Sequence, residues 1–151
     1  NVPALTTKGE EVLVYSQLIP AGTFTDNDVM RVRYRLDNNT NDTATYRIYI
    51  SDDSDFTNVS GSVGNLVATC TASSAIRYVQ IKRDLSFNLD IGRIEFFSAS
   101  ISATTDDTIF TGTMSSYIMD WANTDYYMYF SALPNSISHI CKAKYFSIER
   151  I

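Results

Sequence analysis

DVMRVRYRL, residues Asp28 to Leu36, sorts its side chains onto two faces: Met30, Val32, Tyr34 and Leu36 on one, Val29, Arg31, Arg33 and Arg35 on the other. A period of two marks a half-buried strand. On a helix the arginines would scatter around the circumference, whereas a strand that advances roughly 3.3 Å per residue lines them up on one side about 7 Å apart.

The same alternation recurs along the chain. Tyr46, Ile48 and Ile50 alternate with Thr45, Arg47 and Tyr49, giving a strand of matching length beyond the turn-forming run Asp37 to Asp42, DNNTND. The two strands are expected to form a hairpin. Before them, Glu11 to Ile19 reads as a strand with a change of face near Ser16, ended by Pro20-Ala21-Gly22. After them, the polar stretch Ser51 to Asn65 reads as a surface loop. Leu66 to Thr71 follows as a short strand. The long run Ile76 to Phe87 places Arg83 among Val79, Ile81, Leu85 and Phe87, so a bulge near Arg83 that swaps the faces is expected. Ile91 to Ser100 is the next strand, then a Thr/Ser/Asp loop from Ala103 to Gly112. Tyr117 to Trp121 and Tyr126 to Leu133 are expected to pair around Ala122 to Asp125, and His139 to Ile151 closes the chain as a last long strand.

Composition agrees with this pattern. The chain has 151 residues, with 10 Tyr and 8 Phe, and only four Glu against thirteen Asp, so β formers outweigh helix formers. That length suits one domain that buries roughly two-thirds of its unfolded surface. The expected architecture is all-β: a two-sheet antiparallel sandwich, jelly-roll-like, of eight or nine strands and no helix. Residues 1–10 are expected to be an N-terminal lead-in joined to something upstream, and residues 11–151 a single sandwich domain. The net charge of −5 argues against nucleic-acid binding, and no apolar run approaches the ~18 residues that a membrane span needs. Cys70 and Cys141 are two cysteines in apolar strands, expected as buried thiols rather than a disulfide framework or zinc site.

Few constellations suggest chemistry. The row Arg31, Arg33, Arg35, extended by Arg47 across the expected hairpin, is a candidate subunit contact or a patch for an anionic ligand; a solvated sheet face is the plainer alternative. Like charges side by side repel, so acids are expected close by, on a neighbouring strand or another subunit. Asp125, Tyr126, Tyr127 and Tyr129 are candidate glycan contacts, because aromatic faces flanked by carboxylates stack on sugar rings. Trp121 ends an apolar strand and is expected in the core. Asp52, Asp53 and Asp55, like Asp106 and Asp107, lack the Gly and Glu positions of an EF-hand loop, and a polar loop tip explains them. His139, the one histidine, stands beside Ser138 without a GxSxG elbow, and no carboxylate pair is marked, so neither catalysis, a metal nor a cofactor is expected.

Two stretches carry a family resemblance: LIPAGTFTDNDVMRVRYRL (Leu18 to Leu36) followed by TYRIYIS (Thr45 to Ser51), and YIMDWANTDYYMYFSALPNSISHICKAKYFSIERI (Tyr117 to Ile151). In their order they resemble small β-rich virion proteins of tailed bacteriophages that infect Bacteroidota. The resemblance implies a non-enzymatic structural virion protein of a head or tail fibre. It also implies a homotrimer, attached to other virion proteins through the N-terminal segment and located in the virion after assembly in the bacterial cytoplasm. A host-surface glycan is a further partner on this reading; nucleic acid and membrane insertion are not. No catalytic or ligand-binding residue carries over with it. The alternative is a carbohydrate-binding module of a secreted bacterial protein.

Overall fold

The computed structural model of the chain describes residues 9–38, 43–73, 78–88, 91–97, 114–135 and 141–151. Among the described residues there are nine strands: β1 (Val12–Ile19), β2 (Val29–Asn38), β3 (Ala44–Ser51), β4 (Leu66–Ala72), β5 (Tyr78–Asn88), β6 (Arg93–Phe97), β7 (Met114–Ile118), β8 (Tyr126–Pro134) and β9 (Cys141–Arg150). They form two antiparallel sheets. One has the order β1-β8-β3-β4 and the other β7-β6-β5-β2-β9.

The expected all-β sandwich is therefore the fold, and its two sheets meet through the apolar faces foreseen for β2 and β3. Met30, Val32, Tyr34 and Leu36 are buried from one side, Tyr46, Ile48 and Ile50 from the other. Aromatic rings join them. Tyr34 lies edge-on to Phe130 of β8 at 5.2 Å and stacks on Phe146 of β9 at 5.2 Å. Tyr15 of β1 stacks on the far side of Phe146 at 4.6 Å.

Two pairings differ from expectation. β2 pairs with β5 and β9, not with β3, which lies between β8 and β4 in the facing sheet. Likewise β7 pairs with β6, while β8 belongs to the other sheet. Turn-forming residues specify that the chain reverses; they do not specify whether it returns within a sheet or arches over to the opposite one. At residues 119–125 the arch is imposed by Met119 and Trp121, which enter the core, as expected for Trp121. The result is that β2 with β5 and β3 with β4 form one long ribbon folded across both sheets.

The loops 20–28, 52–65 and 119–125, with Ile91–Gly92, gather at one end of the sandwich. Gly9 donates its amide to the Pro134 carbonyl at the opposite end, whereas Ile151 donates to Val29 beside the loop end. The stretches that carry the family resemblance meet there. Gly22, held at φ +74°, donates to the Trp121 carbonyl at 2.7 Å. Phe24 stacks on Phe87 at 4.6 Å, and Phe87 meets Trp121 edge-on at 4.8 Å. Arg150 pairs with Asp28 at 3.3 Å and lies 5.7 Å from the Phe24 ring centre.

Three local expectations are corrected. The face change in β1 falls between Leu13 and Tyr15, where the register with β8 slips, rather than near Ser16. β5 has no bulge: its register with β2 is continuous from Tyr78 to Ser86, and Arg83 points into the core. Burial lowers its guanidinium to about 10, so it remains charged at neutral pH. One α-helical turn exists among the described residues, α1 (Phe56–Val59), followed by a 3-10 turn over Val63–Asn65. The residues 1–8, the tip of the β2–β3 connection, the loop with Asp106 and Asp107, and Ser138 with His139 lie outside the described residues.

Because Phe130 touches Tyr15, Tyr34 and Phe146, Phe130→Ala should cost about 3–5 kcal/mol, read as a lower urea midpoint in equilibrium unfolding.

Candidate functional site

The two outer faces of the sandwich differ. On the four-stranded sheet the outward residues Tyr49 of β3 and Tyr129 of β8 are buried, because the 52–65 loop folds over them. Asp55 caps α1 by accepting from the Thr57 amide at 3.0 Å. This sets Phe56 and Val59, three apart on one turn, against the tyrosines: Phe56 lies 6.2 Å from Tyr49 and 5.4 Å from Tyr129. The Tyr129 hydroxyl donates to the Asp53 carbonyl at 2.7 Å. Asp53 in turn accepts from the Asp55 amide and from Asn58. The stretch expected to be a plain surface loop is a cover with its own small core, and Asp53 and Asp55 are engaged in shaping it. Among the described residues no group of three or more His, Cys, Asp and Glu is placed to hold a metal.

Beneath this cover lies a carboxylate that sequence reading missed. Glu11, its side chain only 7% exposed, accepts from Ser131 Oγ at 2.6 Å, the Tyr49 hydroxyl at 2.8 Å, Ser60 Oγ at 3.0 Å and Arg47 Nη1 at 3.1 Å. Burial pushes its carboxyl up, but the three hydroxyl donors and the Arg47 charge outweigh burial and leave it below the usual value. Burial, and then the bond to Glu11, push the Tyr49 phenol up to about 12. Since Ser131, Tyr49 and Ser60 are 120, 38 and 49 positions away from Glu11, nothing local in the sequence marks the cluster.

The expected extension of the arginine row is corrected accordingly. Arg47 lies on the four-stranded sheet, with Glu11, on the side of the sandwich opposite Arg31, Arg33 and Arg35. Those three do share the outer face of the five-stranded sheet. Arg31 makes a two-pronged bond to Asp84 of β5 at 2.8 and 2.9 Å and has Glu149 across from it on β9. The acids foreseen for the row are thus on neighbouring strands, for Arg31 at least. Arg33 stands between Lys82 and Ser147, and its Nε is buried without an acceptor. Arg35 donates to Gln80 and lies 6.0 Å from the Tyr145 ring centre.

The candidate glycan contacts do not form one platform. Tyr126 points into the core, its hydroxyl accepting from the Asp120 amide at 2.9 Å, and Tyr129 is under the loop cover. Tyr127 is half-buried and stacks on Tyr129, while Asp125 is exposed and accepts from the Ala21 amide at 2.8 Å.

The two seams between the sheets also differ. On the β4 and β7 side the Tyr117 hydroxyl reaches the carbonyls of Val63 and Leu66 and bridges the sheets. On the β1 and β9 side a groove of about 640 Å³ opens instead, whose wall mixes Tyr15, Leu18, Ile19, Phe24, Phe146 and Ile148 with the polar Gln17, Thr23, Ser147 and Arg150. Both strands are sheet edges, and Leu13, Tyr15, Leu18 and Tyr145 are exposed along them. An apolar edge of this kind is a pairing surface.

These features define an antiparallel β-sandwich, nine-stranded among the described residues, with one partly covered face, one open face and an open seam. No family model matches the chain, and no curated protein or solved structure matches it either.

The Glu11 cluster makes stability depend on acid. A carboxyl whose folded value is depressed contributes stability that is present above its ordinary value, here 4.5, and is lost as the pH falls through the folded value. Glu11→Gln should therefore cost about 2 kcal/mol at pH 7 in chemical unfolding, and the gap to the wild type should shrink progressively below pH 4.5.

Proposed function

We propose that this chain is a non-enzymatic structural domain of a phage virion appendage, which assembles as a homotrimer and presents its surfaces to the host, including surface glycans. The observation that carries the reading is the open seam between the edge strands β1 and β9, along which Leu13, Tyr15 and Leu18 are exposed. A second copy of the chain fits it best, because edge meeting edge supplies main-chain donors and acceptors together with apolar side chains of the same kind. With β1 of each copy against β9 of the next, three copies around an axis close the set and leave neither of these two edges open.

Two further features support the reading. The stretches that resemble phage virion proteins converge at the loop end and fix Phe24 and Arg150, both part of the groove wall. Residues 9 and 151 lie at opposite ends of the sandwich, which suits a unit strung along an appendage with its N-terminal segment toward the particle. Several copies on one stalk convert weak individual contacts into useful avidity.

A carbohydrate-binding module of a secreted bacterial protein is the second reading. The open outer face of the five-stranded sheet, where Tyr78 is 65% exposed, favours it. The two readings separate in solution. The first expects a trimer at micromolar concentration by light scattering, reduced to monomer by Leu18→Asp with the thermal midpoint of the monomer preserved. A wild-type chain that is monomeric, and stays so at high concentration, excludes the assembly.

A further inference from the structure

We infer that residues 54–62 are a cover that opens separately from the sandwich, and that the Glu11 carboxylate is the latch that holds it shut. Opening lays bare Tyr49 and Tyr129, which are buried in the closed form.

The cover packs apart from the main core. Val59 is buried against Tyr49 and Tyr129, with Phe56, Leu66 and Tyr127 around them, in a cluster that shares no buried residue with the one joining the two sheets. A satellite cluster of this kind comes apart at lower cost than the whole domain, because the main core stays packed while it does so.

Both ends of the cover are anchored without Glu11. At the entry the Tyr129 hydroxyl donates to the Asp53 carbonyl at 2.7 Å, and at the exit the Tyr117 hydroxyl reaches the Val63 carbonyl at 2.9 Å. Among the described residues, two hydrogen bonds tie the span between these anchors to the sheet beneath. Ser60 Oγ donates directly to Glu11 at 3.0 Å, and the Gly61 amide donates at 3.2 Å to the Tyr49 hydroxyl, which itself donates to Glu11 at 2.8 Å. Both ties therefore end on one carboxylate.

What makes Glu11 a latch is its capacity to accept. An ionised carboxylate offers about four acceptor sites and no donor, and Ser60, Tyr49, Ser131 and Arg47 each direct a donor at it. Ser131 and Arg47 belong to the sheet, so they keep the carboxylate aimed while the bonds on the cover side form or break. A neutral acid or an amide has fewer acceptor sites and loses part of this set. Acid is thus the natural release. The charged and titratable groups that meet Glu11 are Arg47 and Tyr49 of β3, while β8 and the cover present Ser131 and Ser60, which do not titrate. Its carboxyl lies below the ordinary 4.5, so the latch holds fully above that pH and is lost as the pH falls through the folded value.

Hydrogen exchange of the full chain, read by NMR at the amides of Asn58, Ser60, Gly61 and Ser62, tests this. Each of these amides donates within the closed cover or to Tyr49. At neutral pH the four are expected to exchange more slowly than an unstructured chain, yet at least about 100-fold faster than the amides of β2 and β5. Ile81→Val, a change in the main core, is expected to speed β2 and β5 by about fivefold and to leave the four unchanged. Ser60→Ala and Glu11→Gln are each expected to speed the four by about fivefold or more. With rates divided by the intrinsic rate at the same pH, the gap between wild type and Glu11→Gln is expected to narrow below pH 4.5. Exchange of the four at the unstructured rate overturns the inference, since no cover is then held shut. So does exchange that follows β2 and β5 in Ile81→Val, which makes the cover part of the sandwich. A Glu11→Gln that speeds β2 and β5 but spares the four, or a Ser60→Ala without effect, removes Glu11 as the latch, and a gap that stays constant in acid removes protonation as its release.

Discussion

The ring of Tyr34 is the point on which the sandwich depends. It leaves the middle of β2, crosses the space between the sheets and meets Phe130 edge-on and Phe146 face-on, with its hydroxyl directed at the Ser131 carbonyl 3.5 Å away. Edge-to-face and offset contacts of this kind add to the gain from burying the rings themselves. They also set the separation of the sheets. Phe146 belongs to an edge strand, so the contact that locks the core simultaneously draws β9 toward β1, where Tyr15 completes the stack. The seam is therefore closed by aromatic rings at one level and left open as a groove just beyond it, toward the loop end.

From that constraint follows the division of labour between the faces. One sheet is covered over Tyr49 and Tyr129 by the 52–65 loop, which is held by a helix cap at Asp55 and by hydroxyl groups converging on Glu11. The other sheet retains an open surface where Arg31, Arg33, Arg35 and Lys82 stand among Asp37, Asp84 and Glu149, as strand periodicity demands when only one side is packed. The sandwich thus presents two distinct surfaces, a grooved seam and a charged face, on different sides of one rigid body.

Much of this was legible in residue pattern. β2 and β3 announce themselves because apolar residues recur at every second position, and the core positions Met30, Val32, Tyr34, Leu36, Tyr46 and Ile48 follow directly from that. What was not legible is where reversal becomes arch. DNNTND says that the chain turns after β2, yet the choice between a neighbour in the same sheet and one in the facing sheet is made by strands from distant parts of the sequence, β5 and β9, which occupy both sides of β2. The same reason hid the Glu11 cluster, whose donors come from three separate segments. Arg83 illustrates the opposite error: alternation placed it inside, and the expectation of a bulge was a rescue that the chain does not use, because a long guanidinium stem can share an apolar core. The single turn of α1 is too short to show a helical period, and only Asp55 ahead of Thr57 and the Phe56 and Val59 spacing hint at it.

Residues 9 and 151 leave the sandwich in opposite directions, and both terminal strands are edge strands held by one ladder each, β1 on β8 and β9 on β2. Tension carried along the chain would pull each of them lengthwise past its neighbour. Inter-strand bonds run perpendicular to that pull, so the whole ladder resists together instead of opening one rung at a time. A body wired in this way is slow to yield under mechanical load, a property that comes from topology and owes nothing to any single side chain.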